Sequence, residues 1–208
     1  YPTLHGDDAT ILKRISMLYD IGFLKWLLGI FDANVWMMLS AHHGGADIYL
    51  TLPFYVLFKD PIYIVRISSI FYSALGLFFT YYFTKELFNR TVALITLSLL
   101  ALHPSYVFAV RAGLYTSAPI MLFLSMSMLF FFLKYCRTGK EGYLYLGSFL
   151  AGVGLNTRIW FLWLINAIIL LKLYLRIPIP STARYSATKY PAIKYIFIGI
   201  FFFLGLFL

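Results

Sequence analysis

Acidic side chains are nearly missing from most of this chain: beyond Asp60, only Glu86 and Glu141 occur in all the sequence that follows. Ion- or proton-coupled carriers keep ionisable groups at membrane depth, so apolar runs without acids weigh against that class. Cysteine is limited to Cys136, which excludes an internal disulfide framework and, with no clustered partners, a thiolate metal site. Charge of either sign is scarce: 12% of residues are charged, where a soluble domain carries about 25%. What is present is hydrophobic (62%) and aromatic (20%). Apolar runs of about 18 residues or more recur, each able to cross the ~30 Å hydrocarbon core as a helix. The fold class is therefore all-α, a polytopic helical transmembrane bundle. The chain opens at Tyr1-Pro2 and stops inside an apolar run at Phe207-Leu208. It is expected to be an excerpt of a longer polypeptide, and no signal peptide can be assigned.

Six of the 8 acids, Asp7, Asp8, Asp20, Asp32, Asp47 and Asp60, precede the long apolar runs. Residues 1–64 form one domain, a large first external loop with interfacial helices. Within it, Ile11, Ile15, Leu18, Tyr19 and Trp26 share a helical face opposite Lys13, Arg14 and Lys25, the pattern of a helix lying in the interface plane. Phe31 to Ser40 is too short to span and forms a second interfacial piece. Ala41 to Asp47 is a loop by its glycines, and Ile48 to Phe58, broken by Pro53, is a re-entrant or interfacial helix. Residues 65–208 form the bundle, with spans near 65–84, 91–110, 117–135, 143–156, 158–175 and 193–208.

Lys and Arg set the orientation. One side collects Lys85, Arg90, Lys134, Arg137, Lys140, Lys172, Arg176, Arg184, Lys189 and Lys194 in its loops. The other holds Lys13, Arg14, Lys25, Lys59, Arg66, Arg111 and Arg158, diluted by aspartates. The first set is cytoplasmic by the positive-inside rule, and the aspartate-rich segment faces outward. This accounts for the formal +9 charge without nucleic acid. Asn89-Arg90-Thr91, a glycosylation acceptor by pattern, then faces the cytoplasm and is idle. The outer face gathers Asp7, Asp8, His42, His43, Asp47, His103, Arg111, Tyr115 and Arg158.

The order of several motifs resembles the C-type membrane glycosyltransferases, in particular the protein-mannosyltransferase and aminoarabinose-transferase group of glycosyltransferase family 39, over its N-terminal portion. Gly6-Asp7-Asp8-Ala9 opens the first external loop. Leu52-Pro53-Phe54-Tyr55 leads to Ile64-Val65-Arg66-Ile67-Ser68. Lys85-Glu86-Leu87-Phe88-Asn89-Arg90 resembles a short cytoplasmic turn of the family, and Leu102-His103-Pro104-Ser105 runs on to Val110-Arg111. Ala151-Gly152-Val153-Gly154-Leu155-Asn156-Thr157-Arg158 resembles a glycine-bearing span that closes on a basic residue.

The resemblance implies transfer of a sugar from a polyprenyl-phosphate donor to a protein, lipid or glycan acceptor on the outer face of a plasma membrane or endoplasmic-reticulum-like membrane. It implies that Asp7 is the catalytic base or binds a divalent metal, and that Asp8 is a second acid beside it. An inverting displacement needs such a base within reach of the acceptor. It also needs cations for the phosphate: Arg111 and Arg158, with His42 and His43 nearby. One departure stands out. Members often carry a further acid shortly after the arginine that Arg111 matches, and here Thr116 or Ser117 falls in that place.

Each motif also has a plainer explanation. Adjacent aspartates are common helix N-caps. His42, His43 and Asp47 could ligate a metal, although neighbouring histidines point apart on most backbones. Arg111 and Arg158 could simply snorkel to the outer boundary, and the basic 172–194 stretch could rest on anionic lipid. Two other functions share the architecture: a non-catalytic membrane subunit or scaffold, and a lipid-carrier transporter.

Overall fold

A computed structural model of the chain describes residues 38–40, 43–44, 46–58, 60–112, 118–158 and 161–166. Asp7, Asp8 and His42, the interfacial helix read over 7–28, and the spans read at 158–175 (beyond residue 166) and 193–208 lie outside the described residues. Two short antiparallel strands, β1 (Met38–Ser40) and β2 (His43–Gly44), pair with Met38 opposite Gly44. Six helices follow: α1 (Ala46–Leu57), α2 (Pro61–Leu87), α3 (Arg90–Leu102), α4 (Pro104–Ala112), α5 (Ala118–Thr138) and α6 (Glu141–Thr157). Residues 161–166 are also helical.

The glycine-rich segment expected as a loop is thus partly a strand, and the helix after it starts at Ala46. The first span starts at Pro61 rather than near residue 65. Asp60 caps it, its Oδ1 accepting the Ile62 N–H at 2.8 Å, and Pro61 sits at the helix start, where its missing N–H costs nothing. Over 27 residues α2 is about 40 Å long, longer than the hydrocarbon core. Phe88 N–H closes it on the Thr84 carbonyl.

The second span is broken. Asn89 caps α3, accepting the Val92 N–H at 2.9 Å. His103 is forced extended (φ −64, ψ 124), because the ring of Pro104 disfavours helical geometry in the residue before it. Arg90–Leu102 and Pro104–Arg111 meet at a 57° bend. By length and composition α2 and α5 can each cross a membrane, and the bent α3–α4 pair can act as a third span. At 17 residues α6 is about 25 Å long.

Chain directions follow from the connections. α2 and α5 run parallel, since Glu86 near the end of α2 binds Lys134 at 2.5 Å and Arg137 at 2.6 Å near the end of α5. Gly139, at φ 68, donates to the Tyr135 carbonyl and ends α5 in a left-handed cap. α6 then returns antiparallel, with Phe131 stacked on Tyr143. Residues 60, 111, 118 and 157 consequently share one end of the bundle. Lys85, Arg90, Lys134, Arg137 and Lys140 share the other.

The core joins Ala46 of α1, Ile64, Val65 and Tyr72 of α2, Ile120, Leu124 and Met128 of α5, Ala151 and Val153 of α6, and Phe161. An aromatic ladder fills the α2–α5 seam, Phe79 lying 5.8 Å from both Phe123 and Phe131. Several buried hydroxyls bond within their own helices: Thr80 donates to Gly76 O, Ser127 to Phe123 O and Thr157 to Val153 O. Large apolar side chains such as Ile70, Phe78, Ile95, Leu99 and Phe108 are exposed around the outside. Exposure on that scale suits lipid and not water. The chain is an integral membrane protein built as a helical bundle.

Candidate functional site

The end of the bundle opposite the basic connectors holds every described residue of the predicted site. Arg111 lies exposed in the last turn of α4. Arg158 caps α6 and is half-buried. Its N–H donates to the Gly154 carbonyl at 3.0 Å and its own carbonyl accepts from Phe161 N–H at 2.9 Å. These two backbone bonds fix where the arginine leaves the helix. His43 belongs to β2, which packs against α6, and α1 packs against both α2 and α6. The corner formed by β2, α1 and the end of α6 therefore carries His43, Asp47 and Arg158. Arg111 reaches the same end on α4, which packs on α2, α3 and α5.

The sequence reads Asp47 as a loop residue of the outer face and a metal candidate. It is fully buried in the first turn of α1, where the N-terminal end of the helix favours a carboxylate. The backbone carbonyl of Asp47 accepts the Thr51 hydroxyl at 2.7 Å, and α1 is tied to α2 by the Tyr72 hydroxyl, which donates to Leu50 O at 2.6 Å. The placement of this acid is more internal than its neighbourhood of glycines suggests. The signal available was Ala46-Asp47 directly ahead of an apolar run, the pattern of an acid entering a helix. On the same helix, burial pushes the Tyr49 hydroxyl up to about 12, so it stays a neutral donor. Among the described residues no three His, Cys, Asp or Glu side chains gather around a common point.

Helices long and apolar enough to cross a membrane, with Arg111 in the last turn of α4 and Arg158 capping α6 at one end of the bundle, define a helical membrane protein. The chain belongs to the dolichyl-phosphate-mannose-protein mannosyltransferase family, whose sequence profile matches residues 47–207. It is also 27% identical to the STT3B subunit of the dolichyl-diphosphooligosaccharide–protein glycosyltransferase of Arabidopsis thaliana. That alignment takes in 94% of this chain and 27% of the relative, so the chain spans about a quarter of the relative's length. No solved structure matches.

Proposed function

We propose that the chain takes part in a membrane glycosyltransferase reaction, moving a sugar from a polyprenyl-phosphate donor to a protein, lipid or glycan acceptor on the outer face. Residues 1–64 act as the external loop and residues 65–208 as the bundle. Asp7 takes the proton of the acceptor hydroxyl or amine. The acceptor atom bonds to the anomeric carbon from the face opposite the phosphate, and the bond from that carbon to the phosphate oxygen breaks. Polyprenyl phosphate leaves with the electron pair, and the configuration inverts. Asp8 raises the basicity of Asp7 by like-charge repulsion, and Arg111 or Arg158 carries the charge that grows on the leaving phosphate. His42 and His43 stand beside that phosphate. A divalent ion, where one is used, binds at Asp7.

Family membership over residues 47–207 is the observation that carries this function. The lack of an acid at Thr116 or Ser117 favours one alternative, a non-catalytic subunit of the same architecture. Transfer of radiolabelled mannose from polyprenyl-phosphate-mannose in membranes separates the two. Asp7→Asn lowers the rate about 10²–10⁴-fold if Asp7 is the base. Unchanged transfer in that variant removes the mechanism.

A further inference from the structure

His103, read from the sequence as an outer-face residue, sits far deeper. The Ser69 hydroxyl donates to Val110 O at 3.0 Å, and the Tyr106 hydroxyl donates to Ser73 O at 3.1 Å. These two bonds hold α2 and α4 in antiparallel register. Continued by one turn, the register brings His103 about level with Gly76. Within α2 no charged residue falls between Arg66 and Lys85. Those two stand about 28 Å apart along the axis, close to the ~30 Å thickness of the hydrocarbon core. Gly76 lies about midway between them. The break between α3 and α4 is therefore at the middle of the bilayer.

A break at that depth strands polar groups. Pro104 carries no N–H. The N–H groups of Ser105 and Tyr106, in the first turn of α4, have no carbonyl within their own helix to receive them, and α3 supplies none among the described residues. His103, Pro104 and Ser105 are all exposed. A further polar group meets the same place from inside the bundle. Ser73 shares with Ser69 the face of α2 that receives α4. It is only 6% exposed, yet its Oγ has no hydrogen-bond partner among the described residues. Hydrocarbon offers no hydrogen bonds, and irregular backbone is tolerated at membrane depth only where protein covers it or water reaches it. A buried water satisfies such a cluster, since it makes roughly two to four bonds of its own.

We infer that the α3–α4 break is a hydrated notch at the middle of the bilayer. Water bound there accepts from the N–H groups of Ser105 and Tyr106 and donates to Ser73 Oγ, restoring the hydrogen bonding that Pro104 interrupts. His103 lines the mouth of the notch. Leu99, Leu102 and Phe108, apolar and 68%, 78% and 70% exposed, bound the wet region on the lipid side. The notch is independent of the sugar transfer proposed above.

Thiol labelling of the full chain in nanodiscs tests it, because a cysteine in apolar surroundings is held as the unreactive thiol. The exposed Cys136 is first removed by Cys136→Ser. In that background His103→Cys and Ser105→Cys react with a charged methanethiosulfonate within about tenfold of the rate of Lys140→Cys at the end of the bundle, while Leu99→Cys and Phe108→Cys react at least about 100-fold more slowly. Rates at residues 103 and 105 as low as that of Leu99→Cys mean that lipid or a further helix covers the break, and overturn the notch. Fast labelling of Leu99→Cys and Phe108→Cys leaves no confined wet site and overturns it too. Ser73→Ala lowers the unfolding midpoint by about 2–4 °C, the worth of one hydrogen bond. An unchanged or raised midpoint in that variant marks the hydroxyl as a bare orphan and overturns the bound water. Circular dichroism confirms unchanged helix content in each variant.

Discussion

Glu86→Gln removes the carboxylate that ties the end of α2 to the end of α5. Lys134 Nζ approaches Glu86 Oε1 at 2.5 Å and Arg137 Nη1 approaches Oε2 at 2.6 Å. Arg137 Nη2 also donates to the Glu86 carbonyl, a bond the substitution leaves in place. Charge-assisted hydrogen bonds contribute about 1.5–3 kcal/mol when well shielded. These side chains are 25% (Glu86), 28% (Lys134) and 48% (Arg137) exposed, and exposed pairs contribute only about 0.2–1 kcal/mol. Weighting the Lys134 pair toward the first range and the Arg137 pair toward the second gives a loss of about 1.5–2 kcal/mol. For a chain of this size that lowers the unfolding midpoint by about 3–8 °C. The midpoint is read by circular dichroism in detergent at low salt. At about 1 M salt, where the screening length falls to ~3 Å, the difference narrows. Adding Arg137→Gln to the Glu86→Gln chain costs less than Arg137→Gln alone. A midpoint that stays put within about 1 °C, or a loss indifferent to salt, refutes an electrostatic staple.

Gly154→Ala sets a methyl group 2.6 Å from the ring of Phe161, a side chain only 1% exposed, and costs about 1–3 kcal/mol by overpacking; thermal unfolding checks it, and Phe161→Leu in the same chain recovers part of the loss. Gly142→Ala meets nothing within 4 Å, so the same measurement shows no loss, or a gain of up to about 1 kcal/mol from the removed backbone freedom. Tyr72→Phe deletes the hydroxyl bound to Leu50 O and costs about 1 kcal/mol, with faster amide exchange in α1 than in α5 as its specific sign.

Much of the bundle was legible because apolar length alone distinguishes a span from a loop. Spans read near 65–84 and 117–135 correspond to α2 and α5, both long and apolar enough to cross, and 143–156 corresponds to the 17-residue α6; α1 is as short as expected but runs unbroken through Pro53. The interruption at His103-Pro104 was visible as a motif, yet 91–110 was read as one span. Hydropathy does not register a bend, and the 57° angle arises from a steric effect of one proline ring on one neighbour. Arg111 and Arg158 were legible as arginines ending spans on one side, because the alternation of directions follows from counting spans. The pairing of Ser69 and Ser73 of α2 with Val110 and Tyr106 of α4 was not legible, because no local pattern encodes a contact between helices. Asp47 was misjudged for a similar reason: its burial comes from packing of α1 against α2 and α6, not from its glycine-rich surroundings.

Gly147 lies where an added carbon would touch the Phe132 ring at 3.0 Å, and Gly154 where it would touch Phe161 at 2.6 Å. These two notches sit about 10 Å apart along α6 and engage rings from different parts of the chain. Phe132 belongs to α5 and opposes a slide of α6 past it, whereas Phe161 follows α6 in the chain and packs back on it. The Gly147–Phe132 contact therefore sets where α6, and the Arg158 about three turns further along it, stands relative to α5.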